Sequence, residues 1–304
     1  MELENKPSRP DIDFEDLLAT GADAYNTEVG SWWQELSLDE PHRRAYKHIA
    51  QSAAKFCKEM KVDPAWIADY ACGSGNLLKP LRVAFPQAKL LGIDGAEKLL
   101  EICQENQKES CELRSGRNIL RKPQPQMILT QSSLPNFKLP KGKMDLLFLV
   151  FPNLIPDPDN LHIFDENGYG NSRDVAVAEM LARFREMDPE DETLTPPKEE
   201  LFDDLLTARV YSRNLRHLLK PGGILARAEY TQAPREELTE LTQWRCLFAE
   251  CALGEAIKGK RAYQLFQYLG SEYKRSEVIL DVYYQTGDVE DTQGGYMISY
   301  FKAI

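Results

Sequence analysis

The sequence predicts an α/β protein in three layers, a mostly parallel sheet between two sets of helices. Short, almost unbroken apolar runs recur at 66–71 (WIADYA), 88–94 (AKLLGID), 126–131 (QMILTQ), 144–150 (MDLLFLV) and 222–230 (GGILARAEY). Strands so uniformly apolar are buried on both faces, as happens when helices cover both sides of a parallel sheet. Helical patterns fill most of the gaps, for example around 76–84 and 95–110. With 304 residues, 42% of them apolar, the chain has ample material for such a core.

Taken in order, residues 1–16 are polar, acidic and proline-containing, and read as an arm. In SLDEPHRRAYKHIAQSAAKFCKEM (37–60), Ser37 and Glu40 have capping-box spacing. Behind them Ala45, Ile49, Ala53, Phe56 and Met60 recur at helical spacing, which predicts an amphipathic helix before the first strand. The basic run His42-Arg43-Arg44 reads as the solvated face of that helix. After the fifth strand a helical stretch is expected at 236–256, then strands at 276–285 (SEVILDVYYQ) and 295–301 (GYMISYF), which allow an antiparallel pair at the sheet edge. That makes seven strands.

One interval breaks the rhythm. About 70 residues separate the fourth and fifth strands, where a single crossover helix needs far fewer. They comprise a loop (152–172), a helix (173–187), the acidic linker DPEDETLTPP and a second helix (198–219). The insertion leaves from the carboxyl end of a strand, where open sheets bind ligands, so it reads as a lid or substrate wall rather than a surface embellishment.

Composition excludes several classes. A net charge of −11 repels polyphosphate and gives no counterion-release drive, so no nucleic-acid partner is expected. No apolar run approaches the roughly 20 residues that span a bilayer, and MELENKPSRPDIDFED is unlike a signal peptide, so no membrane association is expected. The six cysteines contain no C-x-x-C pair, a pattern that suits reduced thiols and a cytoplasmic location. Four histidines without H-x-x-x-H or H-E-x-x-H give no metal site.

The stretch IADYACGSGNLLKPL (67–81) carries the functional signal. A nicotinamide-binding G-x-G-x-x-G would need a glycine where Leu78 stands, and a P-loop would need a Ser or Thr after Lys79. Neither phosphate cradle fits. Asp69 precedes the loop, where a carboxylate can meet a cationic group, and Gly73 and Gly75 let the backbone pass close to a ligand. Nineteen residues after Gly75, Asp94 ends the second strand, and an acid there can accept from both ribose hydroxyls. A ligand with an ammonium at one end and a ribose at the other suits both acids, and S-adenosylmethionine is one.

DYACGSGN resembles the first motif of the class I S-adenosylmethionine-dependent methyltransferases, commonly D/E-x-G/A-x-G-x-G. GIDGAEKLLEIC resembles the second motif, and LKPGGILARAEY (219–230) is similar to the loop and fifth strand of that fold. The resemblance spans about 66–301 and implies a Rossmann-like fold with seven strands, the last antiparallel. It implies S-adenosylmethionine as cofactor, bound by Asp69, Ala71, Gly73, Gly75, Asp94 and Gly95. The family's usual acid beside the adenine, in G-D-A-x-x-L-P, is replaced by LTQSSLPNF, which leaves Thr130, Gln131 or Ser132 for that contact. Residues Tyr25, Trp32 and Trp33 precede the first helix, where similar segments of the family close over the cofactor; packing of Trp32 and Trp33 on the sheet is the other reading. Phe151 and Asn153 stand where the family commonly lines the transfer site.

Methyl transfer from a sulfonium needs alignment first and a base only where the acceptor must lose a proton. His162, Tyr169 and Glu229 are candidates to reach an acceptor, although His162 also fits a loop residue without a role. FPNL differs from the N-P-P-Y signature of amine and amide methylases. The leading expectation is an enzyme methylating N or O of a small-molecule or peptide-like acceptor. A protein methyltransferase with the insertion as docking groove, and a non-catalytic scaffold of the same fold, remain as alternatives. The domain reading is an arm and helical extension at 1–61 covering cofactor or substrate, then one domain at 62–304 with 152–205 as its lid.

Overall fold

The computed structural model describes residues 25–107, 111–115, 119–121, 125–132, 139–151, 215–234, 255–258, 261–276 and 292–304. Two helices, α1 (Glu28–Ser37) and α2 (Glu40–Glu59), precede the first strand. Then come β1 (Trp66–Tyr70), α3 (Leu78–Ala84), β2 (Lys89–Asp94), α4 (Glu97–Gln107), β3 (Cys111–Leu113), β4 (Met127–Gln131) and β5 (Met144–Val150). The later strands are β6 (Leu219–Pro234), β7 (Glu255–Lys258), β8 (Arg261–Gln264), β9 (Phe266–Arg275) and β10 (Thr292–Ala303).

The main sheet runs β3-β4-β2-β1-β5-β6-β10-β9, and β7 and β8 form a separate antiparallel pair. Pairing is parallel from β3 through β6, and β10 is antiparallel to both β6 and β9. The predicted mostly parallel α/β sheet is therefore present, with eight strands in place of seven. The extra parallel strand is β3, three residues long, two of them exposed, and too short to leave a pattern in the sequence. The antiparallel partner of β10 is β9, at FQYLGSEYKR, upstream of the run expected at 276–285; most of that run lies outside the described residues.

One apolar cluster fills the face under α2 and α3 with Ile49, Ala53, Leu78, Leu81, Leu90, Phe148 and Ile298. The other face holds Tyr70, Ile93, Ile128, Leu147, Leu225 and Phe301. At the amino ends of the strands Asp145 Oδ2 accepts the Trp66 amide at 2.9 Å and Oδ1 accepts Lys220 Nζ at 2.6 Å, which fixes β1, β5 and β6 in register.

Four local expectations are corrected. Asp39, not Ser37, caps α2, accepting the His42 amide at 2.8 Å, while Ser37 ends α1 and donates to the Gln34 carbonyl. The basic run is not wholly solvated, because His42 is buried while Arg43 and Arg44 are exposed. Met60 caps the helix C-terminus and is exposed, so the buried stripe is His42, Ala45, Ile49, Ala50, Ala53 and Cys57. Strand β6 starts at Leu219, earlier than the predicted 222. The arm at 1–16, the lid at 152–205 and most of the helix expected at 236–256 lie outside the described residues.

Candidate functional site

From β1 the chain steps to β2, goes on to β3 at the sheet edge, returns to β4 between those two, and then crosses to the other side of β1 as β5. The order reverses at β1, and in open α/β sheets the crevice at such a point, beyond the carboxyl ends of the strands, is the ligand site. Three features converge there: the glycine loop after β1, Asp94 at the end of β2, and Phe151 just past β5.

Register fixes the direction of the acids. Asp69 pairs with Gly92, and Asp94 with Gln131, so with the period of two along a strand Asp69, Asp94 and Gln131 share one face. Ile93 and Thr130, also a pair, share the opposite face. Thr130 is buried there, away from the acids.

Asp94 Oδ2 accepts the Gly73 amide at 2.7 Å and Oδ1 accepts the Ala96 amide at 2.9 Å. Burial pushes its carboxyl up, opposed by the amides of Ala96, Gly73 and Gly95. Each of these oxygens keeps lone-pair capacity for a further donor. Asp69 has a different environment. It is 3% exposed, and among the described residues nothing donates a hydrogen bond to its carboxylate. Burial pushes its carboxyl well above the ordinary range, and the charge of Asp94 adds to the effect.

The loop is shaped by its backbone. Ala71, Gly73 and Gly75 have φ of 59°, 51° and 80°, in the left-handed region. A Cβ on Gly73 would meet nothing within 4 Å, so space opens above that residue, whereas a Cβ on Gly75 would overlap Cys103 Sγ. Gly75 is anchored from below by Gln107 Nε2, which donates to its carbonyl at 3.2 Å. The Cys103 thiol and burial raise the Cys72 thiol well above its ordinary range, so Cys72 is a neutral packing group under the loop.

The N-terminal segment is fastened to this site. Asn26 Oδ1 accepts the Lys98 amide at 3.1 Å, and Lys98 Nζ donates to the Thr27 carbonyl at 3.3 Å and Ser31 Oγ at 3.1 Å. Asn76 Nδ2 donates to Ser37 Oγ at 2.7 Å, joining α1 to the glycine loop. Tyr25 is half-buried, next in sequence to this latch. On the β5 side, Phe151 has φ of 48° and its amide donates to the Ala228 carbonyl at 2.9 Å. Its ring lies 5.9 Å from Tyr46 and 5.8 Å from Tyr296, an aromatic wall at the strand ends. Two non-glycine residues in left-handed geometry, Ala71 and Phe151, thus flank one crevice, where such strain is usually found at functional sites.

Of the residues selected from sequence, Asp69, Ala71, Gly73, Gly75, Asp94, Gly95, Gln131, Ser132 and Phe151 all fall at these strand ends. Gln131 Nε2 donates to the Gly95 carbonyl at 3.2 Å, and the Ser132 amide to the Asp94 carbonyl at 2.9 Å. Glu229 lies in β6 opposite Met297. Asn153, His162 and Tyr169 lie outside the described residues. Tyr46 was missed because the helical period absorbs it into the covered face of α2, and His42 because it opens a basic run that reads as solvated. Among the described residues no cluster of His, Cys, Asp and Glu can hold a metal ion, and no helix is long and apolar enough to cross a membrane.

No family model matches the sequence. Over 71 residues the chain is 37% identical to malonyl-[acyl-carrier protein] O-methyltransferase 2 of Coxiella burnetii, a match covering 23% of this chain and 29% of the relative. The chain thus spans less than a third of that relative's length. Among solved structures it is similar to magnesium protoporphyrin IX methyltransferase from Synechocystis PCC 6803 with bound SAH, at a TM-score of 0.46 and 16% identity, covering 96% of this chain and 100% of that one. It is also similar to the N-methyltransferase NodS from Bradyrhizobium japonicum WM9 in complex with S-adenosyl-L-homocysteine, at a TM-score of 0.42 and 9% identity, covering 88% of this chain and 90% of the other.

Proposed function

We propose that this chain is a class I S-adenosylmethionine-dependent methyltransferase that methylates N or O of a small-molecule or peptide-like acceptor. The observation that carries the reading is Asp69, a buried carboxylate to which no described residue donates, set beside an Asp94 already held by amides. A buried carboxyl that receives no donor is driven toward its neutral form, and a cationic partner restores the carboxylate. A ligand with an ammonium suits it. The 71-residue match to a methyltransferase supports the same reading.

In this assignment Asp69 faces the ammonium of the methionine moiety and Asp94 accepts from the ribose hydroxyls. Gly73 offers the open approach, and Gly95, Gln131 and Ser132 border the adenine. Tyr25 and Phe151 cover the ligand. The bound cofactor supplies a methyl group already activated on a sulfonium, so the protein's task is alignment and exclusion of water.

Calorimetric titration with S-adenosylmethionine, its demethylated product and NAD tests the reading. Binding of the first two but not NAD is expected, with a melting temperature raised by each ligand that binds the folded state. Binding of NAD in preference to both would overturn it.

A further inference from the structure

The row of side chains that carries Asp69 across the sheet gives it no polar neighbour. In register it stands between Gly92 on β2 and Phe148 on β5, and neither brings a side-chain donor. A Cβ on Gly92 would run into Leu129, Cys72 and Leu78, and Phe148 is fully buried. Among the described residues, the titratable groups within electrostatic reach are Asp94 from β2, Cys72 from the glycine loop and Tyr46 from α2. All three are acids. Cys103 and burial hold Cys72 as a thiol, and burial holds Tyr46 as a phenol. Burial raises Asp94 as well, but the amides of Ala96, Gly73 and Gly95 oppose it. Asp69 has no such amides and no described cation paired with it. A carboxyl in that setting keeps its proton, because the alternative is an uncompensated buried charge.

We propose that the cofactor loads by proton exchange: Asp69 carries a proton in the free protein and gives it to water when the ligand's ammonium arrives. The proposal rests on the methyltransferase reading above. The carboxyl O–H bond breaks, its electron pair stays on oxygen, and the carboxylate so formed accepts from the ammonium. The ammonium keeps its own protons, so one proton leaves for each ligand bound. Binding therefore strengthens as pH rises, by up to about 10-fold per unit while the free protein's Asp69 is protonated. It levels off once that carboxyl ionises unaided, and weakens again where the ligand's α-amino group titrates, at about 7.7–8.0. Occupancy of the site is tied to pH through one buried side chain.

The competing account is a carboxylate kept ionised by water at the mouth of the crevice, which would release nothing. Calorimetric titration of the full chain at about pH 6, where the ligand's α-amino group is protonated, counts the protons when run in buffers of different ionisation enthalpy. The ligands are S-adenosylhomocysteine and methylthioadenosine. Both carry the ribose and adenine, but only the first carries the ammonium. S-adenosylhomocysteine should release close to one proton, and methylthioadenosine close to none. Since both ligands offer their ribose to Asp94, the difference belongs to Asp69. Asp69→Asn should bind S-adenosylhomocysteine without proton release. Its affinity should hardly change from about pH 5 to 7, where the parent's changes about 10-fold or more.

No proton release with S-adenosylhomocysteine, equal release with both ligands, or undiminished release in Asp69→Asn would each overturn the proposal. Where methylthioadenosine or the variant fails to bind, the other comparison decides, and an affinity of the parent that is flat with pH is decisive against it in any case. Failure of both S-adenosylmethionine and S-adenosylhomocysteine to bind would overturn the functional reading as well, whereas binding without proton release defeats only this inference.

Discussion

The Asp94 carboxylate grips the Gly73 amide at 2.7 Å, so the residue that ends β2 also sets the loop that follows β1. Two strands and the loop between them are thereby made one device. Asp94→Ala removes two charge-assisted bonds, each worth about 1.5–3 kcal/mol. Cofactor affinity is expected to fall by about 10-fold or more as the ribose loses its acceptor. Titration calorimetry on the variant gives the answer, and an affinity equal to the parent's would remove Asp94 from the site.

Asp69 behaves in the opposite way. Its folded-state carboxyl is raised by burial and then by Asp94, so the native state favours its protonated form. The stability this group contributes is present below the ordinary carboxyl range and is lost as pH rises through the raised value. Asp69→Asn should therefore flatten the pH dependence of the free protein and stabilise it at neutral pH, while weakening S-adenosylmethionine binding by about 10-fold or more. Urea melts across pH 4–8 (roughly the window in which a raised carboxyl titrates), with one titration, separate the two effects. A variant less stable than the parent at neutral pH contradicts the first.

Gly73 and Gly75 should respond differently to alanine. Both are left-handed, which costs an L-residue about 1–2 kcal/mol, but only at Gly75 does the new methyl overlap Cys103. Gly75→Ala is expected to destabilise by about 2 kcal/mol or more. Gly73→Ala should fold, with its methyl standing in the space assigned to the ligand. Paired melting and binding curves check this, and equal melting temperatures for the two variants would count against it.

Ala71 holds a φ of 59° where a glycine would be relaxed. Ala71→Gly should relieve about 1–2 kcal/mol of local strain against about 0.4–1 kcal/mol of added unfolded-chain entropy. A small net gain in stability is expected from denaturant unfolding. A loss of more than about 1 kcal/mol would mean that the Ala71 methyl packs well enough to outweigh its strain.

The readable parts of the sequence were those where burial forces a pattern. Strands β1, β2, β4 and β5 are apolar because both faces are covered, and Asp69 and Asp94 stand out as acids at the ends of such runs. Strand β9 was missed because it is an edge strand, polar and interrupted by Gly270. The α2 cap was misplaced because Ser37 and Asp39 both suit an N-cap, and the contest is settled by Ser37 being the last residue of α1. His42 could not be recognised from its neighbours, since the adjoining arginines point the whole run toward solvent. Its ring meets that of Phe151, more than a hundred residues away.

Strand β10 lies between β6 and β9, and it is the last element of the sheet to be synthesised. About 60 residues separate the end of β6 from its start, which at ~5–20 residues per second is roughly 3–12 s of translation. During that interval the long β6 has no antiparallel neighbour, and its open edge is a template for pairing with other nascent chains. Slow codons between residues 234 and 292 would lengthen this exposure, so yield in a heterologous host depends on synthesis speed across that stretch as well as on the finished protein's stability.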